Sequence, residues 1–240
     1  MNTIRVATYN VHKCQGMDGR TRPERIARVI REINPDVIAL QEVLSIAGLR
    51  PDWNQSAYLG AELGYHWVKG ETRRLHGGIY GNLILSRFPF ENARHHDISV
   101  PGREERGVLR ADIEANGAVL HLFNAHLGTG YFERRQQAQR FLTADLLRAA
   151  DIAGPRIVLG DFNEWTRGLV TRLLSSEMRR ADAHWNLGRS RTYPGLLPML
   201  HLDYIYYDHA LDLRDAFFHR SRTALVASDH LPLVADFRIL

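Results

Sequence analysis

The sequence has few of the residues and segments that mark several large protein classes. It contains one cysteine, Cys14, which excludes an internal disulfide framework and suggests a reducing compartment, although a disulfide-free exported protein would have the same cysteine content. Lysine occurs only at Lys13 and Lys69, and arginine carries the remaining positive charge. No apolar run approaches the ~20 residues that a membrane-spanning helix needs, and no basic segment followed by an apolar stretch marks a signal peptide. We therefore expect a cytoplasmic protein without a transmembrane segment.

Repeats, low-complexity tracts and linkers are also missing from the sequence. Proline and glycine are scattered through predicted turns, and 240 residues are enough to bury a large core. We therefore expect a single domain spanning residues 1–240. The formal net charge of +4 permits an anionic substrate but is too small to require nucleic acid. Nothing in the composition indicates an obligate protein partner.

The segment at 156–163 has the composition of a strand that ends in a functional site. Residues 157–159 form a short apolar run closed by Gly160, which is typical of a buried strand in an α/β core. A carboxylate, Asp161, and an amide, Asn163, follow at once, and ligands in such folds bind beyond the strand ends. An aspartate after a strand also suits a helix N-cap or a turn, so this segment alone leaves both interpretations open.

The same arrangement recurs in other parts of the chain. Four further apolar segments carry a chemically capable polar residue at one end, namely Asn10, Glu42, His126 and the pair Asp229 and His230. This repetition favours a functional site over a set of unrelated turn residues.

Hydrophobic periodicity predicts both helices and strands. Apolar residues at helical spacing predict helices over 22–33 and over 133–150, whereas the segment 71–78, which contains Gly and Arg, is predicted to be a loop. Asn116 and Gly117, placed between two alternating runs, predict a hairpin with a type I′ turn. Hairpins together with helical crossovers indicate a mixed sheet, and periodicity alone leaves α/β and α+β open.

The polar residues at the strand ends suit one kind of metal site. Glu42, Asp161 and Asp229 offer hard oxygen ligands, and no cluster of Cys or His has the spacing of a zinc site. Such donors favour Mg²⁺ or Mn²⁺. A divalent ion beside imidazoles suits hydrolysis of a phosphoester, because it polarises the phosphoryl oxygen and offsets the charge that develops in the transition state. Cys14 lies four residues after Asn10, but no sequence feature orients a base toward its thiol.

Seven short motifs follow one another along nearly the whole chain. They are Thr8-Tyr9-Asn10, Gln41-Glu42, Gly81-Asn82 through Leu85-Ser86, Asn124-Ala125-His126-Leu127, Gly160-Asp161-Phe162-Asn163, Leu202-Asp203-Tyr204-Ile205 and Ser228-Asp229-His230. Each motif is weakly specific alone, but the ordered series is highly specific. It resembles the endonuclease/exonuclease/phosphatase superfamily, which includes deoxyribonuclease I, apurinic endonucleases, neutral sphingomyelinases and inositol polyphosphate 5-phosphatases. The resemblance implies a four-layer α/β (α+β) sandwich, in which two mixed β-sheets pack face to face with helices outside.

The resemblance also implies roles for the metal-binding and nucleophile-activating residues. Glu42 is expected to bind the metal, with Asn10 and Asp229 near it. Asp161 would orient or deprotonate the attacking water, and Asn163 would donate to a phosphate oxygen. The implied activity is a metal-dependent hydrolysis of phosphodiester bonds by in-line attack of water.

A second group of residues is implied to move protons. His126 would contact the phosphate or assist the leaving group, and His230 would pair with Asp203 as a histidine–carboxylate dyad that fixes the tautomer. The sequence does not assign the base and the acid among Asp161, His126 and His230.

Three residues are candidates for contact with phosphate or substrate. Asn82 belongs to the third motif, and Arg106 could supply a phosphate-binding guanidinium. His12 stands where many nuclease members carry Asp or Asn, so it could contact phosphate, replace a ligand, or be an ordinary loop residue. The segment 73–76, with two arginines and a histidine, is a second candidate anion loop.

The substrate is the least determined property. His126 matches the pattern of deoxyribonuclease I and the sphingomyelinases, whereas apurinic endonucleases carry Tyr there. Asn163-Glu164-Trp165 lacks the Asn-Tyr-Arg run of the inositol polyphosphate 5-phosphatases. Nucleic acid is the favoured substrate. The alternatives are a phospholipid head-group phosphodiester, as for a sphingomyelinase, a phosphomonoester, and an inactive module that only binds anions.

Overall fold

A computed structural model gives the fold, and it describes residues 3–48, 51–141, 146–165, 168–183, 192–194 and 199–240. Within these residues the strands are β1 Thr3–Asn10, β2 Val37–Ser45, β3 His66–Leu75, β4 Gly78–Ser86, β5 Phe90–Asp97, β6 Gly107–Ala115, β7 Ala118–His126, β8 Arg156–Asp161, β9 Arg179–Arg180, β10 Asp203–Tyr207, β11 Leu211–Phe218 and β12 Leu233–Ile239. The helices are α1 Pro23–Ile33, α2 Gln55–Leu63, α3 Tyr131–Phe141, α4 Leu169–Glu177 and the short α5 Ala224–Ala227.

The strands form two sheets of six strands each. The first sheet has the order β11-β12-β1-β2-β4-β3, and the second has the order β5-β6-β7-β8-β10-β9. β1 runs parallel to β2 and β7 runs parallel to β8, whereas the other neighbours in both sheets are antiparallel. Both sheets are therefore mixed, as the combination of hairpins and crossovers predicts.

Three apolar cores separate four layers of structure. Val6 of β1 and Leu122 of β7 lie in the core between the two sheets. On the outer face of the first sheet, Ile30 of α1 packs in a second core with Leu40 of β2. On the outer face of the second sheet, Phe141 of α3 lies in a third core with residues of β7, β8 and α4. A strand that is covered on both faces of its sheet buries its odd-numbered and its even-numbered side chains alike. The sequences of such strands are therefore near-continuous apolar runs. The predicted four-layer sandwich is confirmed.

Two glycines are required by the backbone geometry near strand ends. Ala115 pairs with Ala118 across the predicted type I′ turn, where Asn116 and Gly117 have φ of 54° and 82°. Gly160 has φ of 144°, and a Cβ added there would lie 1.9 Å from the carbonyl oxygen of Ala125. The absence of a side chain at Gly160 thus lets β7 and β8 approach closely just before Asp161.

Two predicted boundaries are wrong. The segment 71–78, predicted to be a loop, contains the end of β3, which continues to Leu75 through a bulge between Glu71 and Arg73. The helix predicted over 133–150 does not reach its predicted end, because residues 146–148 form a turn; within the described residues α3 covers Tyr131–Phe141. Residues 142–145 lie outside the described part of the chain. No helix within the described ranges combines the length and apolar character needed to cross a membrane.

Buried side-chain amides join the two sheets beneath the site. Gln41 Nε2 donates to Asn124 Oδ1 at 2.8 Å, and Asn124 Nδ2 donates to the carbonyl oxygen of Leu40 at 2.9 Å. Asn82 Nδ2 donates to the carbonyl oxygen of Gly107 at 3.0 Å. Buried polar groups are costly unless paired, so these bonds favour one alignment of the sheets. The Asn82 amide nitrogen is used within the protein, which argues against its predicted contact with substrate.

Candidate active site

The register of the strands brings the polar strand ends to one edge of the sandwich. In the first sheet, β1 ends at Asn10, and Glu42 directly follows the β2 residue that pairs with Asn10. In the second sheet, Asp161 pairs with His126 on β7 and with Asp203 on β10. The candidate site therefore draws side chains from both sheets.

Asp161 lies at the centre of this group. Its Oδ2 accepts a hydrogen bond from Asn10 Nδ2 at 2.9 Å, and its Oδ1 accepts one from the backbone N–H of Asn163 at 2.9 Å. The Nε2 atoms of His126 and His230 lie 3.8 Å and 3.6 Å from Asp161 Oδ2. Burial, opposed by the nearby His230, raises the pKa of Asp161 to about 6. A carboxylate with this pKa can accept a proton near neutral pH.

His230 is held by Asp203. His230 Nδ1 donates to Asp203 Oδ2 at 2.9 Å, and both side chains are buried. The Tyr193 ring packs against the imidazole with 5.0 Å between centroids. Burial would lower the pKa of His230, but the carboxylates of Asp203 and Asp161 outweigh it and raise the pKa to about 10. The imidazole is therefore protonated near neutral pH, with Nε2–H directed toward Asp161.

Glu42 has different surroundings from Asp161. Asn10 Nδ2 donates to Glu42 Oε1 at 3.2 Å, and Lys13 Nζ donates to Glu42 Oε2 at 3.4 Å. Burial alone would raise the pKa of Glu42, but His126, Lys13 and the Asn10 amide together lower it to about 2. Glu42 is thus an anion at every physiological pH, as a metal ligand must be.

His126 is a neutral imidazole in this arrangement. Its Nδ1 lies 3.5 Å from Arg106 Nη1. Burial and the Arg106 guanidinium lower the pKa of His126 to about 3. A guanidinium can only donate, so Nδ1 is the acceptor and Nε2 carries the proton. His126 therefore presents an N–H group to the space beside Asp161.

Left-handed backbone conformations gather around the site. Glu42 and Asn163 have φ of 59° and 48°, and the three consecutive residues His12, Lys13 and Cys14 have φ of 44°, 57° and 56°. Residues other than glycine adopt the left-handed backbone region at a cost of order 1–3 kcal/mol each. The turn at 12–14 directs Lys13 Nζ to Glu42, so the unfavourable backbone serves to place a cation.

The remaining predicted residues lie at the rim. His12 Nδ1 is 3.6 Å from Asp229 Oδ1, and both side chains are partly exposed. Asn163 Nδ2 donates to the carbonyl oxygen of Leu127 at 2.8 Å, which fixes the side chain beside the end of β7. The Cys14 thiol is buried, and burial raises its pKa, so it stays protonated and is not a nucleophile.

Sequence reasoning missed two charged residues near the site, Lys13 and Glu104, and indicated Arg73 only as part of a candidate anion loop. Lys13 contacts Glu42 directly, and its only signal in the sequence is its place three residues after the first-strand Asn10. Arg73 and Glu104 pair with each other at 2.6 Å between Nη2 and Oε1. Glu104 lies in the loop between β5 and β6, and no local pattern predicts that this loop returns to the site.

A cavity of about 850 Å³ opens beside Lys13. Lys13 lines it together with the apolar side chains of Leu44, Ile46 and Trp53, and with the His76 side chain. This volume lies within the range of small-molecule pockets. The cavity could therefore accept an organic group attached to a phosphate at the centre of the site.

The donor set fits a hard divalent cation. Ligand atoms of Asp161, Asp203 and His230 lie within 4.8 Å of one another. The two carboxylates could hold a metal ion, whereas the His230 imidazolium has no free nitrogen lone pair to offer. Asp203 Oδ1 is buried without a hydrogen-bond partner among the described residues, as expected for an oxygen that faces a cation. The anionic Glu42 carboxylate adds a further oxygen donor next to Asn10.

Comparison with known proteins finds relatives over most of the chain. The uncharacterized protein YbhP of Escherichia coli strain K12 is 30% identical over 253 residues, which cover 99% of this chain and 97% of YbhP. A candidate neutral sphingomyelinase of Drosophila melanogaster is 25% identical over 185 residues, which cover 69% of this chain and 40% of that protein.

Solved structures share the fold at lower sequence identity. An endonuclease/exonuclease/phosphatase from Beutenbergia cavernae DSM 12333 has a TM-score of 0.78 at 23% identity, covering 100% of this chain and 72% of the other. A mannosyl-6-phosphatase from Bacteroides thetaiotaomicron has a TM-score of 0.77 at 16% identity, covering 98% and 99%. At these identities the likeness concerns the fold alone. The sequence profile of the Endonuclease/Exonuclease/phosphatase family matches residues 7–230, and the chain therefore belongs to that family.

Proposed function

We propose that this protein is a divalent-metal-dependent hydrolase of phosphodiester bonds. Members of its family are phosphoester hydrolases. The observation that carries the proposal is the buried Asp161 carboxylate, which Asn10 and the Asn163 backbone orient and which two imidazoles face. This group combines a base, a proton donor and a second anionic carboxylate in one space, which is what attack of water on a phosphoester requires.

Asp161 acts as the base in this proposal. Its pKa of about 6 leaves it mostly ionised at pH 7 and still able to take a proton from water. The bonds to Oδ1 and Oδ2 fix the carboxylate, so the attacking water is oriented as well as deprotonated.

The two histidines take different roles because their protonation states differ. The His230 imidazolium, fixed through Nδ1 by Asp203, donates from Nε2 to an oxygen that gains negative charge. The neutral His126 donates from Nε2 to the phosphate or to the leaving oxygen. His230 is thus positioned to stabilise charge, and His126 to orient the substrate.

Glu42 is assigned as the main ligand of Mg²⁺ or Mn²⁺, with Asn10 and Asp229 nearby. When bound, the ion would polarise a phosphoryl oxygen and offset the charge that develops on it. Lys13, which contacts Glu42 Oε2, contributes a fixed positive charge at the same place. Arg106, behind His126, provides a further cation toward phosphate oxygens.

Nucleic acid is the proposed substrate. The cavity beside Lys13 has apolar and aromatic walls together with cationic side chains and the carboxylates of Glu24 and Asp52, and its aromatic part suits a nucleoside attached to phosphate. A phospholipid head group is the second candidate, favoured by the relative named as a candidate neutral sphingomyelinase.

The test is turnover of bis(p-nitrophenyl) phosphate with Mg²⁺ or Mn²⁺ and with EDTA. We expect turnover only with metal, and a loss of at least about a hundredfold in Asp161→Asn. Asp212→Asn is the matched control, because this half-exposed carboxylate lies at the opposite end of the first sheet. Plasmid DNA, choline phosphodiesters and glycerol phosphodiesters then distinguish the substrates. Absence of metal-dependent turnover on the whole panel would instead support a module that only binds anions.

A further inference from the structure

Two arginines next to the site share one carboxylate. Arg73 Nη2 lies 2.6 Å from Glu104 Oε1, and Arg106 Nη2 lies 2.7 Å from Glu104 Oε2. Arg73 comes from β3, Arg106 immediately precedes β6, and Glu104 lies in the loop between β5 and β6. The Arg73 guanidinium also stacks over the buried Tyr80 ring at 4.8 Å, which fixes its plane. Each oxygen of Glu104 therefore serves a different guanidinium.

The arginines retain donors that nothing in the described part of the chain uses. The Nε atoms of both Arg73 and Arg106 are buried and have no hydrogen-bond partner there. The Arg106 side chain is only 6% exposed. A buried donor without a partner is unfavourable, so two such donors on adjacent guanidiniums favour the binding of additional anionic oxygens at this place.

The charge balance decides which anion fits. Two guanidiniums face one carboxylate, so the group retains one positive charge. A phosphodiester carries the same single charge as Glu104 and would gain little by replacing it. A terminal phosphate carries about −1.5 to −2 charges at pH 7 and three acceptor oxygens, so it can satisfy both guanidiniums better than the carboxylate can.

Glu104 is placed to give way to such a group. Its side chain is 37% exposed, whereas Arg106 is buried, so the carboxylate can turn to solvent while the cations stay. Arg106 Nη1 also lies 3.5 Å from His126 Nδ1, which puts the guanidinium directly behind the proposed reaction centre.

We propose that Arg73 and Arg106 form a subsite for a terminal phosphate group of the substrate, which the Glu104 carboxylate fills in the free protein. This inference rests on the proposed function and adds a specificity to it. The preferred substrate carries a phosphomonoester close to the phosphodiester that is cleaved, as at the phosphorylated end of an oligonucleotide.

Binding of inorganic phosphate tests the subsite without turnover. Calorimetric titration at pH 8 with EDTA keeps phosphate dianionic and removes metal. We expect Arg73→Gln to weaken phosphate binding by at least about tenfold, and Glu104→Gln to strengthen it several-fold because the competing anion is lost. Arg74→Gln is the matched control, because it removes the same charge from the neighbouring residue, whose side chain is 80% exposed. The Arg74→Gln variant should bind phosphate like the wild type.

Turnover then identifies the group that is bound. The p-nitrophenyl ester of thymidine 5′-phosphate is compared with the same ester carrying a 3′-phosphate. The wild type should have the higher kcat/KM for the phosphorylated ester, and Arg73→Gln should reduce this preference about tenfold, as expected for the loss of a charged hydrogen bond.

Three results would overturn the subsite. They are equal losses on both esters in Arg73→Gln, equal effects of Arg73→Gln and Arg74→Gln on phosphate binding, and weaker phosphate binding in Glu104→Gln. Lack of turnover on either ester would count against the proposed hydrolase, and the phosphate titrations would still decide whether the subsite exists.

Discussion

Single residues in this site are distinguished by their neighbours more than by their chemistry. Asn10 Nδ2 donates to both Glu42 Oε1 and Asp161 Oδ2, so a single amide group bridges the two carboxylates. Lys13 next to Glu42 keeps that group ionised, whereas burial raises the pKa of Asp161 to about 6. Two carboxyl groups whose pKa values are driven apart can divide the roles of ligand and base.

Asp203 and His230 should act as one unit. Asp203→Ala and His230→Ala should each lower kcat by about 10²–10⁴, and the double variant should lose little more than the worse single variant, because each residue needs the other. In Asp203→Asn the pKa of His230 should fall, since a carboxylate that raises it is gone, and the alkaline limb of the pH–rate profile should move to lower pH. Strictly additive losses in the double-mutant cycle would show that the dyad does not operate.

Glu42→Gln should weaken metal binding without unfolding the protein. The substitution keeps the side-chain shape but replaces an anion, ionised above about pH 2, with a neutral amide. We expect at least about a tenfold loss in Mn²⁺ affinity by calorimetry, with a parallel loss of turnover. Glu114→Gln, on the exposed face of β6, is the control for loss of a carboxylate. Unchanged Mn²⁺ affinity would remove Glu42 from the metal site.

At the scale of elements, the strand ends were the most predictable feature. Short apolar runs predicted β1, β2, β7 and β8, because strands buried on both faces leave a strong local signal. The second half of the edge strand β3 leaves no such signal, since a bulge between Glu71 and Arg73 interrupts the alternation. The extent of α3 was overestimated because apolar residues at helical spacing continue into the turn at 146–148.

The site residues that could be predicted are likewise those next to strands with a strong local signal. Asn10, His126 and Asp161 stand at strand ends, so the amino-acid sequence alone is enough to indicate them. Glu42 was predicted to follow a strand, but β2 continues past it to Ser45 through a bulge between Leu40 and Val43. The catalytic and metal-binding roles of all four residues remain predictions. Glu104 could not be found this way, because its ion pair with Arg73 joins a loop of the second sheet to a strand of the first sheet. No local sequence pattern predicts such a contact.

The turn between β6 and β7 offers a test at this scale. Gly117 has φ of 82°, and a Cβ added there would meet nothing within 4 Å. Gly117→Ala should therefore destabilise the protein through backbone strain alone, by about 1 kcal/mol. Asn116→Gly should change stability much less, because glycine adopts the φ of 54° found there without strain. Urea unfolding of the two variants gives the comparison, and equal effects would contradict the assigned turn.

For the whole molecule, acid stability depends on a buried network in the second sheet. Arg110 Nε donates to Asp112 Oδ1 at 3.0 Å, and His121 Nδ1 lies 2.7 Å from the same oxygen. Burial would raise the pKa of Asp112, but His121 and Arg110 lower it to about 2. Since the folded pKa is below the ordinary value of about 3.9, the ionised group stabilises the fold above pH 4 by about 2 kcal/mol.

Asp112→Asn should remove this stabilisation. The free energy of unfolding should fall by about 2 kcal/mol or more at pH 7. The difference from the wild type should shrink as pH falls from about 4 through about 2, because Asp112 becomes protonated in both states only below its folded-state pKa. Urea unfolding as a function of pH measures this difference. Asp212→Asn, on the surface, should cost less than about 0.5 kcal/mol at every pH. A constant difference across the pH range would contradict the assigned ionisation.

The pairing of β1 with β12 has a consequence for synthesis of the chain. β1 carries Asn10, but its neighbour on one side is made more than 200 residues later, just after Asp229 and His230. While the ribosome is still translating, one side of β1 has no native partner and His230 does not yet exist. The proposed hydrolase therefore needs β12 to be translated and paired with β1 before its site is complete.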